Sequence, residues 1–312
     1  MASSTDPSNS DVFTGMAFAI SYGSNEAEKA LVTDRIQRNG GIILESGFDE
    51  LFTLPNLETS NPTSPNKRSP RKETTATIAS EGTGLRLKPE YADLGFVALV
   101  ADRHSRRAKY MQALALGLPT IAGRWVTDSL QNTTGPLPWT KYLLPAGDSS
   151  FLGGAVRSRT LASNDPATAR LGASIENREI LLQGQGVLIV SLSAKKGKGA
   201  NMWERRKAYA FLTLALGAGS VKRVKDVEEA KALVGQDREG RWKWVYVDGG
   251  VEEAAGVLFS GNRMVGGGGS KKRKRESGGG KREFKMSVGD GRVRVVNDEF
   301  VVQSLILGAL VD

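Results

Sequence analysis

Several residue types are scarce in this sequence, and each scarcity excludes a class of structure or chemistry. There is no cysteine and a single histidine, His104, so the chain has neither a disulfide framework nor the Cys/His ligands of a zinc site. No hydrophobic run approaches the roughly 18 residues of a membrane span, and residues 1–10 are polar with one acidic residue and no basic one. We therefore expect no metal, no cofactor and no membrane contact, in a protein that is not secreted.

The bulk composition is that of a folded protein, and its excess of positive charge is concentrated in two short segments. Hydrophobic residues make up 39% and charged residues 25% of the 312 residues, enough chain for about two domains with their own cores. The net charge is +9. Residues 271–285 contribute a surplus of six positive charges and residues 67–73 a surplus of three. The rest of the chain is therefore neutral and gives no sign of a groove for a phosphate backbone.

Polar segments divide the chain. Residues 55–90 are rich in Thr, Ser and Pro, and residues 262–291 surround a basic tract with glycine runs. We expect both to be disordered inserts, as we do for residues 1–10. Residues 148–177 are polar as well and are predicted to be a linker between two better-patterned halves. The predicted domains on either side of that linker are residues 11–147 and 178–312.

The spacing of apolar residues predicts a similar succession of elements in both halves. In the first half it indicates strands at 16–21, 42–44, 94–101 and 119–122, and helices at 26–39, 106–116 and 125–131. In the second half it indicates strands at 186–191, 220–224, 242–248 and 292–296, and helices at 202–216 and 299–307. Such an alternation predicts an α/β fold in which each small, mainly parallel sheet is flanked by helices.

The two halves also match in sequence. Residues 125–130 (WVTDSL) align with residues 300–305 (FVVQSL) at an offset of 175, and Ser21 aligns with Ser191 at an offset of 170. Two offsets this close indicate a tandem duplication. Trp125 and Phe300 hold the same place on their helices, so we expect both to be core residues.

Five stretches of the first half carry a resemblance to a known family. They are Phe13–Phe18, Val100–Tyr110, Gly117–Pro119, Trp125–Val126 and Tyr142–Gly147. With them the sequence resembles the C-terminal tandem BRCT pair of the fungal DNA-damage checkpoint mediators, the Rad-nine and Crb-two group, which is related to p53-binding protein one. The resemblance is looser from Arg178 onward, and Phe300 departs from the tryptophan that the family usually has.

The resemblance implies a fold, a function and a set of partners. The fold would be two tandem BRCT repeats, each a four-stranded, mainly parallel sheet with flanking helices. The function would be that of a non-enzymatic adaptor of the DNA-damage checkpoint that binds a phosphoserine peptide through its first repeat. The expected partner is the phosphorylated C-terminal tail of histone two-A or another phosphoserine protein, and the expected location is the nucleus.

The first repeat contains residues suited to binding such a phosphate. Ser21 ends the first strand, so its hydroxyl and the backbone N–H of Tyr22 could both face an anion. Lys109 offers a point charge to the same phosphate. Arg106, three residues earlier on the same predicted helix, could reach the peptide main chain or a terminal carboxylate. The alternative is that these residues are ordinary solvated helix charges and a turn serine.

The second repeat lacks the basic part of this set. It keeps a serine at Ser191 but has Val251-Glu252-Glu253 where the basic helix start is expected. Two carboxylates would repel a phosphate, so we expect the second repeat to support the first and to shape the groove for residues that follow the phosphoserine.

Other functions are weaker alternatives. One is a phosphate-independent docking or homodimerisation module, and another is weak, non-specific DNA contact through the basic inserts. A Ser/His/Asp triad would have to use His104, and nothing in the sequence places an activated serine beside it. The stretch before the helix at 202–216 imitates a P-loop but lacks the first glycine, because Leu192 stands in its place.

The inserts contain two further short motifs. Lys271, Lys272, Arg273, Lys274 and Arg275 form a run typical of a nuclear import signal, although a merely solubilising charge run has the same composition. Ser64 and Ser69 each begin a Ser-Pro-x-basic motif of the form that cyclin-dependent kinases prefer. We treat them as candidate phosphorylation sites.

Overall fold

The fold is taken from a computed structural model that describes residues 11–55, 84–191, 199–260 and 287–311, without the side chains of residues 199–205. The predicted import signal at 271–275 and the predicted phosphorylation sites Ser64 and Ser69 lie outside these residues.

The first repeat is built on a four-stranded parallel sheet in the order β2-β1-β5-β6. Its central strand β1 is buried along its whole length because helices cover both faces of the sheet. A separate two-stranded ribbon pairs β3 with β4. The strands are β1 (Ala17–Ser21), β2 (Ile42–Leu44), β3 (Phe52–Thr53), β4 (Arg86–Leu87), β5 (Val97–Ala101) and β6 (Thr120–Ala122). The helices are α1 (Glu26–Arg38), α2 (Ala108–Ala115) and α3 (Arg124–Gln131).

The linker that follows is ordered. Its hairpin and short helix are β7 (Gly147–Ser149), β8 (Ala155–Arg157) and α4 (Leu171–Glu176). Ser149, Ala169 and Leu171 are buried. Although residues 148–177 are polar overall, a few of them are buried and anchor the linker to both repeats.

The second repeat reproduces the sheet of the first and extends it. Its order is β10-β9-β11-β13-β12, whose first four strands are parallel like those of the first repeat, while β12 adds an antiparallel edge. The strands are β9 (Gly186–Val190), β10 (Ser220–Val224), β11 (Trp242–Tyr246), β12 (Ser287–Gly289) and β13 (Arg294–Val296). The helices are α5 (Gly199–Ala215), α6 (Val227–Gln236), α7 (Val251–Leu258) and α8 (Asp298–Leu307). The predicted fold class is confirmed.

The core consists of three apolar clusters, one within each repeat and one between them. One lies between the first sheet and helices α1 and α3. There the centroid of the Trp125 ring is within 6 Å of the ring centroids of Phe13, Phe18 and Phe96. Another joins the repeats, because α5 and α8 pack against α2. The Phe300 side chain belongs to this joint core. The third fills the far face of the second sheet beneath α7.

Several local predictions need correction. Residues 84–90 and 287–291 are predicted to belong to disordered inserts, but both are structured. The first range contains β4 and the second contains β12, each with the turn that follows it. Helix α2 begins at Ala108 rather than at 106, because Arg107 is extended and serves as its N-cap. Helices α6 and α7 were not among the predicted helices, although the start of a helix was expected at Val251. None of the described helices is long and apolar enough to cross a membrane.

Candidate functional site

Ser21 lies at the carboxyl end of the central strand of the first sheet. It pairs with Ala101, the last residue of β5, and the chain leaves β1 toward one side of the sheet and β5 toward the other. In open α/β sheets this switch point forms the crevice in which ligands bind. Ser21 is only 8% exposed, yet its hydroxyl makes no hydrogen bond to any other described residue.

The loop after Ser21 is fixed by two charged side chains. The Gly23 N–H donates to the Asp102 carboxylate at 3.0 Å. The Arg107 guanidinium donates to the carbonyl of Tyr22, and to that of Gly23 at 3.1 Å. Both charged residues come from the segment after β5, so the loop backbone is held in place without using the Ser21 hydroxyl.

The side chain of Tyr22 points into the core. It is 2% exposed, its hydroxyl has no hydrogen-bond partner among the described residues, and burial raises its pKa to about 12. A Cβ at Gly123 would lie 1.8 Å from that hydroxyl, so only glycine fits there. Any contact of Tyr22 with an anion would therefore come from its backbone.

Lys109 reaches the carboxyl end of the strand next to β1. Its Nζ donates to the carbonyl of Leu44, the last residue of β2, at 3.3 Å, and Leu44 pairs with Ala19 of β1. Burial lowers the pKa of Lys109, an effect opposed by Glu45 and Glu50. The ammonium group is thus partly desolvated and hydrogen-bonded only to a neutral carbonyl.

Arg106 is turned toward the second repeat. It lies ahead of α2, so the predicted helical face shared with Lys109 does not exist. Its Nη1 donates to Glu299 of α8 at 2.8 Å. Glu299 also accepts hydrogen bonds from Ser150 and Gln303, both at 2.8 Å. Burial raises the pKa of Glu299, but these hydrogen bonds and Arg106 outweigh it and leave the pKa below its usual value.

The matching edge of the second repeat is arranged differently. The Ser191 hydroxyl donates to the carbonyl of Val224, the last residue of β10, at 2.9 Å. Glu252 and Glu253 are exposed in the first turn of α7. The hydroxyl is occupied, and the nearby helix start is acidic.

Sequence reasoning missed Asp102 and Arg107, which hold the loop after β1. A signal for both was present, because side chains that directly follow a parallel strand collect at the carboxyl edge of the sheet. His104, from the same segment, lies 3.3 Å from the Asp148 carboxylate. Among the described residues there is no cluster of side chains that could hold a metal ion.

Comparisons with known proteins agree with the fold. The chain is 32% identical over 139 residues to DNA repair protein RAD9 of Saccharomyces cerevisiae, a match covering 41% of this chain and 10% of that protein. It is 25% identical over 222 residues to DNA repair protein crb2 of Schizosaccharomyces pombe, covering 68% of this chain and 25% of that protein. The chain therefore spans a tenth to a quarter of the length of these relatives.

Two further comparisons add little. No family model matches the chain. The crystal structure of the Schizosaccharomyces pombe Brc1 BRCT5-BRCT6 domains superposes with a TM-score of 0.35 at 12% identity, covering 78% of this chain and 80% of that one. A superposition this loose carries no argument of its own.

Two repeats with one strand order, packed together through α2, α5 and α8, have the arrangement of a tandem BRCT pair. In sequence, the chain is similar to the fungal checkpoint mediators RAD9 and crb2 over part of their length. The resemblance drawn from the sequence is confirmed.

Proposed function

We propose that the first repeat binds a phosphoserine peptide at the carboxyl edge of β1, and that the protein acts as a non-enzymatic adaptor of the DNA-damage checkpoint. The observation that carries this proposal is the unbonded Ser21 hydroxyl at the switch point of the sheet. Beside it lie a loop backbone fixed by Asp102 and Arg107 and, at the neighbouring strand, the Lys109 ammonium. A phosphate oxygen would accept hydrogen bonds from Ser21 and Lys109.

The desolvated state of Lys109 supports this assignment. A partly buried ammonium that bonds only to a carbonyl has lost part of its hydration without gaining a full counter-charge. A phosphate would supply that charge in a partly buried setting, where charge-assisted hydrogen bonds are strong. The charges of Glu45 and Glu50 favour the protonated form of Lys109 and so keep the ammonium that would bind the phosphate.

Arg106 and Glu299 suggest where the rest of the peptide runs. Their ion pair bridges the first repeat and α8, and Arg106 remains about half exposed, at 48% of its side chain. Its guanidinium has five N–H donors, so bonding to Glu299 leaves donors for a peptide carboxylate. We expect the C-terminal carboxylate of a histone two-A tail, or the main chain of another phosphoserine protein, to bind there.

The test is a titration of the full chain with fluorescent histone two-A tail peptides, one phosphorylated on its serine and one not. The phosphopeptide should bind at least about tenfold more tightly, because it alone brings the anion that Ser21 and Lys109 would bind. Equal affinities would contradict the proposal and favour a phosphate-independent docking module. Light scattering on the same samples tests the homodimer alternative.

The nuclear location is a further part of the proposal. It rests on the relationship to checkpoint proteins and on the basic run from Lys271 to Arg275. Replacing these five residues by glutamine in a fluorescent fusion should reduce nuclear accumulation and any weak DNA binding. Phosphopeptide affinity should stay unchanged.

A further inference from the structure

A groove lies at the amino end of the strands of the first sheet, opposite the end where Ser21 lies. It is a cavity of about 500 Å³ between the linker and the first repeat. Pro119, directly before β6, lines it, so the groove is at the amino end of the sheet. Most of its other lining residues lie between Arg159 and Glu179, in the linker and at the start of the second half.

Two arginines in this groove are held rigidly. Arg159 donates to the Leu114 carbonyl at 2.7 Å and to Glu179 at 2.6 Å. Arg178 donates through Nε to the Ala215 carbonyl at 2.7 Å. Leu114 and Ala215 lie in the last turns of α2 and α5, whose terminal carbonyls favour cations. Both guanidinium groups are therefore positioned before any ligand arrives.

The groove carries more positive than negative charge. Arg159 is paired with Glu179, but Arg170 and Arg178 have no carboxylate partner among the described residues. Arg170 is exposed and donates only to the Ala169 carbonyl, at 3.1 Å. Arg178 is partly buried, and this burial lowers its pKa. Carbonyl groups offset only part of a full charge, so two cations in this groove lack a counter-ion.

We propose that this groove binds an acidic, unphosphorylated peptide segment of a partner protein, with its carboxylates on Arg170 and Arg178. Guanidinium groups bind carboxylates through two parallel hydrogen bonds. Thr160, Asn164 and Ser174 also line the cavity and offer hydrogen bonds to a peptide main chain. A recess of this volume accommodates a few side chains, whereas a DNA duplex would only span its rim.

The experiment uses the full chain and a labelled eight-residue peptide of alternating glutamate and serine, with a peptide carrying glutamine for glutamate as its counterpart. Arg170→Gln should weaken binding of the glutamate peptide about fivefold, the upper range for one exposed ion pair. Arg157→Gln is the matched control, because Arg157 is an exposed linker arginine outside the groove. It should leave the affinity unchanged. Arg170 is exposed, so its variant should keep the thermal midpoint of the parent.

Three results would overturn the proposal. They are equal binding of the glutamate and glutamine peptides, equal loss in the Arg170 and Arg157 variants, and an Arg170→Gln effect on a duplex DNA oligonucleotide without one on the glutamate peptide. The proposal is independent of the phosphoserine site. Lys109→Met should therefore leave binding of the glutamate peptide unchanged, whatever its effect on a phosphopeptide.

Discussion

The two sheets share a strand order, but the polar groups at their carboxyl edges differ. In the first repeat, Ser21 has an unbonded hydroxyl and Lys109 reaches the end of β2. In the second, the Ser191 hydroxyl is bonded to the end of β10 and the nearby helix starts with two glutamates. The Ser21 oxygen is not among the fully buried side-chain atoms without a partner, so it is open to solvent at this edge. The first repeat therefore leaves a hydroxyl available where we propose a ligand, and the second repeat does not.

The two repeats also differ in where their helical layers lie, because only one of these layers packs against the other repeat. In the first repeat, α1 and α3 enclose Trp125 on the outer side of the molecule. In the second, the corresponding helices α5 and α8 face α2 of the first repeat and bury Phe300 in the joint core. The duplicated layer thus became a docking surface in only one copy. We therefore expect the second repeat to support the first rather than to repeat its role.

The largest expected effect is on stability. Trp125→Ala should reduce the free energy of unfolding by about 3 to 5 kcal/mol, because it removes a fully buried indole surrounded by aromatic rings. Since typical domains have only about 5 to 15 kcal/mol, the first repeat should unfold or nearly so. Denaturant unfolding measures this, with Gln131→Ala at the exposed end of α3 as the control. A stable variant defective only in peptide binding would mean that Trp125 contacts ligand.

The next effect concerns the charge at the first edge. Lys109→Met keeps the length of the side chain and removes its charge, so it should weaken phosphopeptide binding by about 1.5 to 3 kcal/mol, roughly 10-fold to 150-fold in Kd. Isothermal titration of the full chain measures the loss. Unchanged affinity would show that Lys109 does not bind the phosphate. The main proposed difference between the two carboxyl edges would then be wrong.

Substitutions of the two serines should have opposite effects on phosphopeptide affinity and on stability. Ser21→Ala should weaken phosphopeptide binding by about 1 kcal/mol and leave stability nearly unchanged, because no described residue bonds to its hydroxyl. Ser191→Ala should do the reverse, lowering stability by about 1 kcal/mol through loss of its hydrogen bond to Val224, with no effect on affinity. If both substitutions affected affinity equally, the contrast between the repeats would be wrong.

The smallest effect has an unusual sign. Tyr22→Phe removes a buried hydroxyl that has no partner, so it should raise stability by up to about 1 kcal/mol near neutral pH. The folded pKa of Tyr22, about 12, lies above its ordinary value of 10.0, so the folded state holds the proton longer than the unfolded one. Tyr22 therefore contributes a loss of stability as the pH rises from about 10 to 12.

Unfolding curves at pH 8 and pH 11 test this sign. The drop in stability between the two should be smaller in Tyr22→Phe than in the parent, although Tyr110 and Tyr209, also raised to about 12, keep part of it. A variant less stable than the parent at pH 8 would show that the hydroxyl has a partner in solution.

The sequence by itself determined the class of fold and the division of the chain into two similar repeats. Buried parallel strands are continuous apolar runs and their helices follow a 3.6-residue period, so both patterns are local and can be found without contacts. The repeated motif around Trp125 and Phe300 belongs to the same local information. Helix α6 escaped because its first turn is acidic and only one of its residues, Ala230, is fully buried.

Only the tertiary structure decided which polar groups meet. The clamp of Asp102 and Arg107 on the loop after β1 spans about 80 residues of sequence, and the bond between Arg106 and Glu299 spans 193. No periodicity records pairings over such distances, because they depend on which strand ends and helices the topology brings together. The difference between Ser21 and Ser191 is of this kind. Ser21 ends β1 and Ser191 directly follows β9, the equivalent strand, and the surrounding fold decides which hydroxyl is left for a ligand.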